Sequence, residues 1–151
     1  MTDKNTQIEV HTYNWGPCLI KVNILENFRQ ILLEEAKKTE IDYKDKLAGQ
    51  IASERGYDEK QREKIIPYLS PYLGVYDEAY QRYQNKRFER KPEYTLTALW
   101  CNFQRQHEFN PPHDHDGKLS FVIYLSIPEP LKKENSKYKG RSCGPGGIQF
   151  M

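Results

Sequence analysis

Cysteine is scarce and unpatterned in this chain. There are three, Cys18, Cys101 and Cys143, an odd number with no Cys-x-x-Cys spacing, which argues against a secreted disulfide framework and against a four-cysteine zinc site. No apolar run approaches the length of a membrane span. The first residues, Met1 to Gln7, are polar and lack the apolar core of a secretory signal. Charge of one sign is also missing: 23 basic against 21 acidic residues leave a net charge of +2, too weak a field to draw in nucleic acid or an anionic membrane. No nucleic-acid or membrane partner is therefore expected, and the reducing cytoplasm is the expected compartment. The 151 residues suffice for one domain with a real core, and 37% hydrophobic against 29% charged residues is polar without being disorder-like.

Up to about residue 92 the pattern is helical. Ile24, Leu25, Phe28, Ile31, Leu32 and Ala36 recur at helical spacing. Asn23 is placed to cap that helix, with Glu26 three residues on, and Lys37 and Lys38 suit its negative end. A short helix is predicted over 44–52. Asp58 caps another running toward Ile65 and Ile66, which Pro67 and Pro71 are expected to break or restart. From there Tyr72, Leu73, Tyr76, Ala79, Tyr80 and Tyr83 share one helical face. A tyrosine stripe can stack nucleic-acid bases, but rings that cover a core while their hydroxyls stay wet explain it better. The basic run Lys86 to Lys91 reads as the solvated end of this helix and its linker rather than as a phosphate site.

After Lys91-Pro92 the composition changes, which divides the chain into a helical region 1–92 and a strand-rich region 93–151, together one structural domain. Tyr94 to Phe103 is β-branched and aromatic and reads as a strand. Leu119 to Ile127 reads as a second. Its Leu119, Phe121, Ile123 and Leu125 make one apolar face; Ser120, Val122, Tyr124 and Ser126 make a mixed face suited to the inside of a ligand-holding barrel. Residues 128–146 form a Pro-, Lys- and Gly-rich loop, and Gly147 to Met151 begins a third strand. Ending in mid-strand suggests a core cut short.

Chemistry concentrates in His113-Asp114-His115-Asp116-Gly117. Three of the four histidines, His107, His113 and His115, fall within nine residues. On extended backbone, residues two apart share a face, and paired imidazoles suit a borderline or transition metal. Two ligands do not complete a tight site. His107 precedes Pro111-Pro112 on another backbone trajectory and His11 is remote, so neither makes a persuasive third. Asp116 on an ideal strand points away from His115. It reaches a shared metal only through a turn, and is otherwise a turn former with Gly117.

Three segments in order, Trp100-Cys101-Asn102-Phe103-Gln104, then His107 to Gly117 with its Asn-Pro-Pro-His-Asp-His run, then Leu119 to Leu125, resemble a group of 2-oxoglutarate- and Fe(II)-dependent oxygenases. That group is frequent in tailed phages of aquatic bacteria and is prolyl-4-hydroxylase-like in its jelly-roll core. The resemblance covers about residues 95–151; the helical part resembles the group only loosely. It implies an α+β fold in which N-terminal helices pack on a C-terminally truncated double-stranded β-helix, or jelly-roll. It also implies Fe(II), 2-oxoglutarate and O2 as cofactor and cosubstrates, with ascorbate as a candidate reductant. His113 matches the first iron ligand. The family's acid two residues later is His115 here, which leaves the second ligand as His115, as a rearranged Asp116, or as no protein group. Tyr124 matches a tyrosine that touches the 2-oxoglutarate carboxylate, and Asn102 faces the same pocket. The distal histidine and the basic residue that pairs with the cosubstrate fall beyond Met151.

The implied activity is hydroxylation of a protein or peptide substrate, with peptidyl proline the default, in the host cytoplasm if the chain is phage-encoded. Two other readings compete: a cupin-like enzyme using the histidine pair for zinc or manganese, and a non-enzymatic, virion-associated binding protein.

Overall fold

A computed structural model describes residues 10–13, 16–139, 144 and 146–149, with backbone only for 10–13. The chain is α+β, and divides into two compact units, Met1–Asp114 and His115–Met151.

The first unit opens with a hairpin of β1 (Val10–Tyr13) and β2 (Leu19–Val22), paired antiparallel from Val10↔Val22 to Tyr13↔Leu19. Gly16, with φ +72°, supplies the left-handed residue between the strands. These strands, and two more before residue 57, lie within the stretch whose periodicity reads as helical throughout.

Helix α1 (Glu26–Lys38) buries Phe28, Leu32 and Ala36, a single i, i+4, i+8 stripe. Its start differs from the expected Asn23 cap. Leu25 holds the N-cap position and makes no side-chain cap bond; its backbone N–H donates to the Tyr72 hydroxyl at 2.8 Å. A contact from a distant helix thus does the work expected of a local side chain. At the other end Thr39 is buried, its N–H bonded to the Glu35 carbonyl and its hydroxyl donating to the Gly56 carbonyl.

Helix α2 (Glu59–Gln84) runs 26 residues without interruption. Asp58 caps it as expected, in a reciprocal box: Gln61 N–H donates to the Asp58 carboxylate at 2.8 Å, and Asp58 N–H donates to the Gln61 side chain at 3.0 Å. The expected break at Pro67 and Pro71 does not occur. Both prolines are exposed and four residues apart, so their missing donors, and the carbonyls they orphan, lie on one solvent-facing stripe where water can replace the lost bonds. The opposite face, with Ile65, Leu69, Tyr72 and Ala79, stays buried and holds the helix together. Asn85 ends it in the left-handed region, φ 49°.

The tyrosine stripe covers the core. Phe28 stacks between Tyr68 and Tyr72 at centroid distances of 6.1 and 5.6 Å, while Tyr76, Tyr80 and Phe88 stack in succession.

A small antiparallel sheet has the order β3 (Ile41–Asp42), β4 (Glu54–Gly56), β5 (Trp100–Asn102). The predicted helix over 44–52 is reduced to a 3-10 turn at Lys44–Lys46, because Gln50 is drawn into a bridge with Phe109, N–H to carbonyl, at 2.8 Å. The strand predicted over 94–103 contracts to β5, the part that finds a ladder partner in β4; strand propensity alone supplies no hydrogen bonds.

In the second unit, helix α3 (Glu129–Asn135) occupies part of the expected loop, and Pro128 and Pro130 suit its first turn. Residues 119–127, predicted as a strand, form none among the described residues, and neither do 147–149; residues 150–151 lie outside them. The alternation survives only in part as burial: Leu119, Ile123 and Leu125 are half-buried, but Phe121 of the same predicted face is exposed, as are Ser120, Val122, Tyr124 and Ser126. A jelly-roll is not part of what the described residues form. Among them no helix is long and apolar enough to cross a membrane.

Candidate metal centre

The loop leading to His113 is held from below by a carboxylate. After β5, Phe103 N–H bonds the Ser53 carbonyl at 2.9 Å. Residues 105–108 turn, with His107 at φ 67°. Glu108 then accepts from Arg105 N–H at 2.7 Å and from Ala52 N–H at 3.0 Å, and these backbone bonds, Arg105's foremost, hold its carboxyl below the ordinary range. The turn is therefore pinned to residues 50–52. Asn110 comes to lie over Gly49, and the chain enters Pro111-Pro112.

His113 is exposed, and its Nδ1 lies 2.7 Å from the Pro111 carbonyl oxygen. A carbonyl only accepts, so Nδ1 carries a proton, and Nε2 is the atom through which a metal would be bound. Metal-ligating histidines characteristically donate their second N–H to a carboxylate, a backbone carbonyl or water, and the His113 contact has that form.

His115, Asp116 and Gly117 open the second unit. His115 and Asp116 are exposed, and Gly117 turns the chain at φ +94°. Tyr124 is 46% exposed. His107 is exposed within its turn; the His11 side chain and all of Cys143 lie outside the described residues. Among the described residues, no group of three or more His, Cys, Asp and Glu is gathered about one point.

Asn102 sits on β5 directly opposite Glu54 on β4, so the two side chains share a face of the sheet. Its Oδ1 is buried with no hydrogen-bond partner, and so are both carboxyl oxygens of Glu54, a residue only 2% exposed. Burial pushes the Glu54 carboxyl up; Lys44 opposes this, and Asp42 and Glu108 reinforce it. A Cβ built on Gly49 would come within 2.5 Å of Asn110 Oδ1 and 2.6 Å of Glu54 Oε1, so the absent side chain is what lets these two oxygens converge. Sequence reasoning missed Glu54. It lies in the polar run Ser53-Glu54-Arg55, where nothing marks it for burial, and its partner is 48 positions away.

Next to Asn102, Cys101 is raised by burial, while a hydrogen bond with Tyr57 works against the shift. Two surface depressions lie away from these residues: one is lined by Glu35, Lys38 and Gln61, the other by Gln81, Arg82 and Lys86.

No family model, curated protein sequence or solved structure matches the chain.

Proposed function

We propose that the chain is an Fe(II)- and 2-oxoglutarate-dependent dioxygenase of the prolyl-4-hydroxylase-like type, acting on a protein or peptide C–H bond. In this reading its strand-forming segments from residue 93 onward belong to a double-stranded β-helix. The observation that carries the proposal is the ordered motif: a tryptophan strand ending at Asn102, the Asn110-Pro111-Pro112-His113-Asp114-His115 turn, and a segment with a mixed face bearing Tyr124. The Pro111–His113 bond supports it, because metal-ligating histidines characteristically donate their second ring N–H to a backbone carbonyl in this way.

In this reading His113 Nε2 holds the iron. His115 takes the position of the family's acid, and Asp116 is the other candidate. Iron, when bound, couples decarboxylation of 2-oxoglutarate to insertion of one oxygen atom: R–H, O2 and 2-oxoglutarate give R–OH, succinate and CO2. The protein's own contribution is placement. The Pro111 carbonyl keeps the Nδ1 proton in place; by the resemblance, the Tyr124 hydroxyl would donate to the cosubstrate carboxylate, and Asn102 is the other candidate for binding the cosubstrate. Ascorbate serves as the external reductant, and a peptidyl proline is the first substrate to assay.

The test is anaerobic absorption spectroscopy. Fe(II) with 2-oxoglutarate produces a weak visible charge-transfer band in the wild-type chain, which falls sharply in His113→Ala. An unchanged band in that variant removes His113 as a ligand. No band in the wild type removes the oxygenase reading, and full activity with zinc favours the cupin-like alternative.

A further inference from the structure

The cluster that the proposed iron ligands leave unused is the oxygen set around Gly49. It contains three buried oxygens without partners, two from Glu54 and one from Asn102. Asn110 Oδ1 converges with Glu54 Oε1 on the same glycine. All four atoms are acceptors, and the three buried ones meet no hydrogen-bond donor.

We propose that Glu54, Asn102 and Asn110 form a binding site for a hard divalent cation of the calcium and magnesium class, separate from the histidine motif. One carboxylate and two amide oxygens are the ligand type such ions take, with water completing the shell. Counting acceptors favours a cation over a proton. A protonated Glu54 supplies a single O–H among three unmet oxygens, whereas a cation accepts lone pairs from several oxygens at once. Asp42 and Glu108 add negative potential at Glu54, which Lys44, the largest of the three charges there, opposes. Asn110 is exposed and forms the open side of the set, a route of entry, while Glu54 forms its closed floor. With a single formal charge among the ligands, affinity falls in the weak, millimolar range.

The site ties β4, β5 and the loop into His113 together, so the ion acts on stability and is read without any activity assay. The full chain is stripped with a chelator, and its thermal unfolding is followed with Ca2+, Mg2+ or Mn2+ at millimolar concentration. At least one ion raises Tm saturably by about 3 °C or more. Glu54→Gln reduces that shift to under about 1 °C. Asn102→Asp, which adds a second carboxylate, lowers the half-saturating concentration about tenfold. Tb3+ provides a reading on the wild-type chain alone: tryptophan-sensitised emission saturates and is displaced by Ca2+, with Trp100 two residues along β5 from Asn102. His113→Ala keeps the whole response, so loss of the iron reading and loss of this one are separable. The proposal is overturned if no ion moves Tm and Tb3+ emission is unsaturable. It is equally overturned if stability follows pH through Glu54 while remaining indifferent to every ion, for then a proton fills the role.

Discussion

Glu54 and Asn102 face each other directly across the β4–β5 ladder, and three oxygens of this one pair are buried without a hydrogen-bond partner. Each buried acceptor left unmet costs about 1–3 kcal/mol, so the pair is a point of stored instability in the middle of the sheet.

With metal removed, this cost varies with pH. Burial holds the Glu54 carboxyl above its ordinary value of 4.5, so between the unfolded and folded values the native state binds the extra proton. The Glu54 contribution to stability is then fully present below about pH 4.5 and declines as pH rises through the folded value. Glu54→Gln flattens that decline and is at least as stable as wild type at pH 8 in chelator. Urea unfolding midpoints across pH 4.5–8 measure both, and a wild-type midpoint that rises over this range contradicts the assignment.

Glu35 behaves in the opposite sense. It is buried on α1, accepting from Lys64 at 2.6 Å and Lys38 at 2.9 Å, and these bonds, Lys64's first, lower its carboxyl to about 2. A lowered acid stabilises above its unfolded value, so the contribution is intact above about pH 4.5 and disappears as pH falls toward 2. Both lysines are more than half exposed, so solvent screens the pair and the coupling is about 1 kcal/mol. A double-mutant cycle of Glu35→Gln and Lys64→Met at pH 7 returns that coupling, and returns a markedly smaller one at pH 2.

Asp58→Ala removes the acceptor of the α2 capping box and costs about 1 kcal/mol, whereas Asp58→Asn keeps most of it. Chemical denaturation compares the two, and equal losses would show that charge rather than the side-chain hydrogen bond is what matters.

Gly56→Ala places a methyl group 2.6 Å from the Tyr43 ring. That ring stacks on Trp100 at 6.0 Å, so it has little room to yield. The expected loss is about 1–3 kcal/mol, with a change in tryptophan emission as the stack opens.

Much of the fold is legible wherever one short segment carries its own instructions. The Phe28, Leu32, Ala36 stripe defines the buried face of α1, Asp58 with Gln61 starts α2, and the tyrosines from Tyr72 onward read as core cover. The errors share a cause. Pro67 and Pro71 read as breakers because a propensity says nothing about which side of a helix faces water. Leu25 is capped by Tyr72, 47 residues away, a partner no window reveals. Residues 119–127 have the alternation of a strand, but a strand also needs a neighbour's backbone.

The candidate site divides in the same way. The chain itself determines the histidine motif, the glycine turn after it, and through Pro111 the proton position on His113, since all of these lie within a few bonds of one another. Only the tertiary structure decides that Glu54 is buried, that Asn102 lies opposite it, and that Asn110 arrives over Gly49. Those three depend on β4 pairing with β5 and on Glu108 pinning the turn to residues 50–52, contacts between segments roughly 50 residues apart. Whether a carboxylate is solvated or buried is set by what the rest of the chain packs around it, not by its neighbours in sequence.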